Sequence, residues 1–201
     1  DVTSAMQVQR GLGSSKLAIS SVGGTINVVT RSADMKEGGS VASSFGNDNY
    51  LKLQTSYSTG KMKNGLSASV LLSQTKGDGY VDGTKFLGHN YFIALGYAIN
   101  AKHDIEFTFT GAPQWHNQRS FANTLADYIK YGNPTTGEPN IKYNSDWGYL
   151  NGEEYSWVKN FYHKPVANLN WDFNINTTTS LSTVLPVAND WFSALSVFYC
   201  I

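Results

Sequence analysis

The side chains best suited to recognising a ligand gather in one long connection, residues 114–160, where Trp115, His116, Arg119, Tyr143, Trp147, Tyr149, Tyr155 and Trp157 occur together. Aromatic faces beside a few polar groups stack on a sugar, a siderophore or another aromatic ring, and long loops on a rigid scaffold commonly carry binding. For any single ring, packing of the loop on itself as a lid is the simpler account; as a set these residues are the candidate ligand contacts. Catalysis has no comparable candidate. Glu153 and Glu154 are adjacent, which points them to opposite faces of an extended chain, and no GxSxG-like nucleophile motif occurs. The chain is therefore read as a protein without enzymatic activity. His89, His103, His116 and His163 lack ligand spacing, so no metal site is expected. Asp78 and Asp82 in GDGYVDG miss the calcium-loop pattern and read as a turn. The single Cys200 forms neither an internal disulfide nor a zinc cluster, and no cofactor is implied.

Those residues need a scaffold, and composition says of what kind. At 41% hydrophobic and 15% charged the chain is too apolar to be disordered. Its 15 basic and 15 acidic residues cancel and are scattered, which excludes the basic stripe of a nucleic-acid binder. The longest apolar runs, residues 91–99 and 191–201, fall short of the roughly 18 residues of a membrane-spanning helix. Twelve tyrosines, ten phenylalanines, five tryptophans and 19 glycines point to an all-β chain. It opens at Asp1 without a signal peptide, as a mature chain or a piece of a longer one does.

From about residue 39 the sequence breaks into period-two segments separated by turn signals, which predicts about seven meandering antiparallel strands. Leu51, Leu53, Thr55 and Tyr57 oppose Lys52, Gln54, Ser56 and Ser58; Leu66, Ala68, Val70 and Leu72 oppose Ser67, Ser69 and Ser73. Tyr91, Ile93, Leu95, Tyr97 and Ile99 line a fourth strand, Ile105, Phe107 and Phe109 a fifth, and Ala167, Leu169, Trp171 and Phe173 a sixth. Weaker strands cover 39–45 and 177–185. Alternation alone fits a soluble sandwich equally well. The connections discriminate: those at 60–64, 100–102 and 174–176 are tight, whereas 77–88 and 114–160 are long and leave the same end of the sheet. Short turns at one end and long loops at the other are the pattern of an outer-membrane barrel, and Tyr57, Tyr91 and Trp171 near strand ends suit its aromatic girdles.

The N-terminal stretch differs in kind. Residues 6–10 and 25–30 read as short buried strands joined by a Gly- and Ser-rich loop, and Gly23 and Gly24 suggest close backbone approach or a positive φ. The run QVQRGLGSSKLAISSVGGTINVVTR resembles the end of the plug domain of TonB-dependent receptors, in which an apolar strand ends in Arg-Gly and a Gly-Gly pair leads into an I-N-x-x-T strand. Arg10, Gly11, Gly23, Gly24, Ile26, Asn27 and Thr30 hold those positions; 17–21 depart from the family in lacking a mid-loop glycine.

The resemblance implies an all-β fragment: the end of a plug (1–31), a linker (32–37), the first strands of a transmembrane β-barrel (38–185) with the extracellular loop 114–160, and an aberrant or truncated tail (186–201) that loses alternation where an eighth strand is due. It also implies energy-coupled uptake, across the bacterial outer membrane, of a scarce ligand such as an iron-siderophore complex or cobalamin. The partners implied are outer-membrane lipid, the inner-membrane TonB complex acting through a plug half absent here, and a small ligand such as a metal chelate. About seven strands do not close a barrel of roughly 22, and an open sheet leaves two edges unpaired, which lipid does not tolerate. The rival reading is a secreted soluble β-sandwich binding carbohydrate through the aromatic loop; a third is a plug-free surface barrel.

Overall fold

In the computed structural model, which describes residues 3–10, 24–30, 32–33, 35–119, 123–188 and 196–200, the period-two segments become one antiparallel sheet. β1 (Thr3–Arg10) and β2 (Gly24–Thr30) pair as a separate two-stranded ribbon. β3 (Gly38–Phe45), β4 (Leu51–Ser58), β5 (Leu66–Gly77), β6 (Phe86–Ala98) and β7 (His103–Gly111) then run as a meander. An excursion follows, comprising β8 (Gln114–Asn117), α1 (Leu125–Lys130), β9 (Trp147–Leu150), β10 (Glu153–Ser156) and β11 (Lys159–Tyr162). The chain returns as β12 (Val166–Asn174) beside β7, and β13 (Ser180–Ala188) and β14 (Ser196–Cys200) complete the path. The helix is too short to cross a membrane, and none of the described helices is long and apolar enough to do so.

Four features differ from expectation. β13 reaches into the segment set apart as a tail and β14 pairs with it, from Ser180↔Cys200 to Val184↔Ser196, so an eighth strand joins the meander. Connection 77–88 shrinks to 78–85, because β5 and β6 keep pairing as far as Gly77↔Phe86. Connection 114–160 contains strands of its own. Finally, Met6 and Val8 are exposed, at 62% and 58%, because each strand of the ribbon is paired on one side and no described layer covers those two side chains.

The tight turns owe their shape to local side chains. Asn100 Oδ1 accepts from the amides of Lys102 (2.8 Å) and His103 (3.0 Å). Asn176 Oδ1 does the same for Thr178 (2.9 Å) and Thr179 (2.8 Å). In each case the side chain satisfies amides that the strand ladder no longer reaches. At the opposite end the β3–β4 turn places Asp48 and Asn49 at φ 53° and 57°, a region that Asp and Asn tolerate better than other side chains.

Along β5 burial alternates without a break from Leu66 to Ser73, and the buried members are Ser67, Ser69, Leu71 and Ser73. Around β5, β6 and β7 the sheet is thus inverted relative to a water-soluble core: its small and polar face is buried there, and its apolar face is open. The cover is the protein's own segment after β2. Ala33 is 0% exposed and packs with Leu71, Phe92 and Ala94. Its amide donates to Glu106 Oε2 (2.7 Å), and Ser58 Oγ donates to the Met35 carbonyl (3.1 Å). Gly96 makes room, since a Cβ there would lie 3.0 Å from Ala33 Cβ and 2.5 Å from Ser67 Oγ.

The open face carries Leu53, Tyr57, Leu66, Val70, Leu72, Ile93, Leu95, Tyr97, Phe107, Leu169, Trp171 and Leu185. Leaving about a dozen such side chains half-exposed to water forgoes on the order of 10 kcal/mol of burial, comparable to the whole stability of a typical domain. Aromatic clusters bound this face. Near the short turns His103 stacks with Phe173 (centroids 4.4 Å) and Trp171 (5.8 Å), and nearer the long connections Tyr91 meets Phe109 (5.3 Å) and His163 (6.0 Å). Along β6 the step from Tyr91 to Tyr97 is roughly 20 Å at the usual rise per residue, which at the roughly 40° tilt of barrel strands crosses roughly 15 Å and so lies within the ~25 Å apolar band of a membrane barrel.

Candidate functional site

The long excursion begins by widening the sheet. β8 pairs with β6 (Leu87↔Trp115) and β11 with β8 (Trp115↔Phe161). Trp115 and Phe161 are therefore on the same face of the sheet, and Lys159 Nζ sits over both rings, 4.1 Å and 5.1 Å from their centroids. That arrangement combines packing of the aliphatic stem with attraction to the ring faces. His116 hydrogen-bonds through Nε2 to Gln118 Nε2 (3.1 Å).

Connection 78–85 is the platform on which the rest of the excursion lies. Asn144, 1% exposed, donates from Nδ2 to the Asp82 carbonyl (2.9 Å) and accepts the Asp146 amide at Oδ1 (3.0 Å). The Asp82 amide donates to the Lys142 carbonyl (2.9 Å), and Asn117 Nδ2 donates to the Gly83 carbonyl (3.0 Å). Trp147 lies directly over Gly83, where a Cβ would fall 1.9 Å from its Cδ1. Trp147 Nε1 also donates to Glu154 Oε1 (2.9 Å), and Glu154 pairs with Lys85. Two connections far apart in sequence thus form one packed unit.

The Lys85 hydrogen bond, helped by the Trp147 indole, lowers the Glu154 carboxyl below its usual range, and the Glu154 hydrogen bond raises Lys85. The signs give a window. A lowered acid contributes stability above its unfolded value, about 4.3, and loses it as pH falls through the lower folded value; a raised lysine contributes below about 10.4 and loses it above its folded value. Docking of β9–β10 on residues 78–85 is therefore expected to be flat between about pH 5 and 10 and to loosen outside those limits. The Trp147 indole resonance followed from pH 3 to 11 checks this. A Glu154→Gln protein that shows the same acid limb as the parent sinks the assignment.

The eight candidate contacts divide into three groups. Trp147, Tyr149, Tyr155 and Trp157 belong to the β9–β10 hairpin and line an open cleft of about 330 Å³ with Asp146 and Leu150. Trp115 and His116 are on β8, away from that cleft, and Trp115 borders a second cleft of about 680 Å³ with Phe45, Tyr50, Lys76 and Phe86. Arg119 and Tyr143 form a third group: Arg119 Nη1 donates to Tyr128 Oη (3.2 Å) and to the Tyr143 carbonyl (3.4 Å), and Tyr143 stacks on Tyr131 (4.3 Å). Burial, then Tyr131, raises the Tyr143 phenol. Sequence reasoning missed Gly83, Lys85, Asn144 and Lys159, since each matters through a partner on another segment and no local signal marks it. Of the plug-like positions, Arg10 and Gly24 face each other across the ribbon, and Asn27 and Thr30 lie on β2; Gly11 and Gly23 fall outside the described residues. Among the described residues no group of three or more His, Cys, Asp or Glu side chains is placed to hold a metal.

No protein-family model matches the chain, and no curated protein matches its sequence. Solved structures do match its fold. The siderophore receptor PiuA from Acinetobacter baumannii superposes with TM-score 0.68 at 13% identity, over 93% of this chain and 26% of that one. The ferric-catecholate import receptor Fiu from E. coli K12, in its open form, gives 0.70 and 13%, over 93% and 28%. The chain spans about a quarter of the length of these receptors. At such identity the likeness establishes the fold, a partial antiparallel β-barrel.

Proposed function

We propose that this chain is part of a TonB-dependent outer-membrane receptor that imports a scarce ligand, such as an iron-siderophore complex or cobalamin. In this reading residues 1–31 end the plug, 32–37 link it to the barrel, 38–185 supply barrel strands with the extracellular loop 114–160, and β13 and β14 carry the barrel on into the segment 186–201. Arg10, Gly11, Gly23, Gly24, Asn27 and Thr30 shape the plug ending. Trp115, His116, Arg119, Tyr143, Trp147, Tyr149, Tyr155 and Trp157 contribute to ligand capture, outer-membrane lipid covers the apolar face, and the TonB complex pulls on the plug. No catalytic role is proposed.

The observation that carries the reading is the inverted sheet, whose apolar face is open between two aromatic clusters and whose small polar face is covered by the segment following β2. A soluble sandwich buries its apolar face instead. The likeness to two receptors adds support from outside the chain. Uptake in cells is the test. Deleting the gene that encodes this chain is expected to abolish growth on one ferric siderophore or on limiting cobalamin, as is removal of TonB, and the protein is expected to sediment with the outer membrane and to need detergent for release. A product found in the soluble fraction, with uptake of every such ligand intact, overturns the proposal.

A further inference from the structure

Directly opposed residues of antiparallel strands share a face of the sheet. Register therefore assembles one row across β3, β4, β5, β6, β8 and β11, close to the long connections: Phe45↔Leu51↔Lys76↔Leu87↔Trp115↔Phe161. The row continues the apolar face, since Leu87 is in step with Tyr91 and Leu95 along β6. From Tyr91 to Leu87 the strand climbs roughly 10 Å along the membrane normal at the ~40° tilt of barrel strands. The row therefore lies beyond the aromatic cluster at Tyr91, in the headgroup layer that flanks the hydrocarbon.

Two bases stand in this row. Lys76 is exposed, and Lys159 reaches back from β11 with Nζ 4.1 Å from the Trp115 ring centroid and 5.1 Å from that of Phe161. Among the described residues neither has a carboxylate at ion-pairing distance, whereas Lys85 pairs with Glu154 and Lys142 with Asp48. Lys76 and Trp115 are two strand spacings apart, roughly 10 Å. Leu87 and Trp115 form the wall shared by two open clefts, of about 680 Å³ on the Lys76 side and about 300 Å³ on the Phe161 side. Asp78, on the larger cleft, accepts a hydrogen bond from Asn49 Nδ2. No Asp or Glu shares the apolar face among the described residues of β3–β8, β11 and β12, because Asp104, Glu106 and Asp172 alternate to the other side.

An acid-free face that enters the headgroup layer with two unpaired ammonium groups is complementary to an anionic headgroup. The rings narrow the chemistry, since aromatic faces stack on sugar rings and a glycerophospholipid headgroup has none. We propose that this patch docks the phosphorylated sugar headgroup of an outer-leaflet glycolipid, with Lys76 and Lys159 pairing to phosphate oxygens and Trp115 and Phe161 flanking a sugar ring. The assignment rests on the reading of this sheet as outer-membrane barrel wall and deepens it by naming the lipid that the wall meets. Trp115 then serves lipid instead of the imported ligand.

The test uses the full chain in dodecyl maltoside micelles doped with diphosphoryl lipid A, monophosphoryl lipid A or phosphatidylglycerol. Binding is read by native mass spectrometry and by the Trp115 indole resonance. Diphosphoryl lipid A is expected to bind at least about fivefold more tightly than the monophosphoryl form, and phosphatidylglycerol most weakly, with the differences shrinking in high salt. Lys76→Gln and Lys159→Gln are each expected to lower the affinity for diphosphoryl lipid A about fivefold. Lys63→Gln, exposed at the short-turn end, is expected to leave it unchanged. Equal binding of the three lipids, an equal effect of Lys63→Gln, or displacement of the glycolipid by an equal concentration of inorganic phosphate overturns the assignment. Membrane sedimentation of the same protein separates the two ideas: a chain that sediments with the outer membrane yet binds the three lipids equally remains a barrel wall without this lipid site.

Discussion

Leu95→Arg is expected to destabilise the chain in phospholipid vesicles by about 2–4 kcal/mol, whereas Tyr97→Arg, two residues nearer the short turns, costs only about 0–1 kcal/mol. Leu95 is 51% exposed on the apolar face and pairs with Ala68 on one side and Phe107 on the other. For a water-facing side chain, exchanging one exposed group for another usually stays within about 0.5 kcal/mol. A large loss at an exposed position therefore requires that the solvent there is not water. The loss arises because a guanidinium at the middle of the apolar band must either leave its hydration behind or draw water inward, while one near the aromatic clusters reaches the interface. Urea titrations of vesicle-folded protein, monitored by intrinsic fluorescence, measure both substitutions. Equal midpoints for Leu95→Arg and the parent remove the membrane face from this sheet, and equal losses at the two positions remove its depth.

Gly83→Ala is expected to undock the β9–β10 hairpin. The residue has φ +72°, and its new Cβ would overlap the Trp147 ring, 1.9 Å from Cδ1 and 2.0 Å from Cγ. The left-handed backbone and the forced overlap together cost about 2–5 kcal/mol. Gly137 is the control, because it has the same φ of +72° with nothing within 4 Å of an added Cβ, so Gly137→Ala carries only the backbone share, about 1–2 kcal/mol. Displacing Trp147 also breaks its hydrogen bond to Glu154 and frees Lys85. Protease cleavage between residues 142 and 158, together with solvent exchange of the Trp147 indole N–H, reads the effect: much faster in Gly83→Ala, little changed in Gly137→Ala. Identical behaviour of the two variants rules out the Trp147 contact as the reason for glycine at position 83.

The strands were legible because their signal is local. Ser67, Ser69 and Ser73 against Leu66, Val70 and Leu72 declare two faces before any fold is known, and both faces stay distinct in the sheet. Asn100 and Asn176 likewise mark turns that their own side chains then close. The aromatic loop was legible as a set but not as a site. Trp115, Arg119 and Trp157 fall in three separate groups, since β8 widens the sheet and puts Trp115 beside one cleft, Arg119 joins the cluster around Tyr143, and the hairpin lines a different cleft. The exposure of Met6 and Val8, and the strand pairing of 196–200, were not legible, because each depends on which segments lie alongside.

The sequence by itself determined that this is a β-meander with one apolar and one small-polar face, short turns at one end and long connections at the other. Alternation of side chains and the preferences of turn residues act over a few bonds, so they hold whatever the rest of the chain does. Only the tertiary structure decided that Ala33 and Met35 contact the small-polar face, that Gly83 lies under Trp147, and that Lys85 pairs with Glu154. Those contacts join positions up to 73 residues apart. The contacts of Gly83 and Lys85 need the long excursion to fold back over residues 78–85, and that of Ala33 needs the segment after β2 to lie against β5–β7, arrangements that no local pattern along the chain encodes.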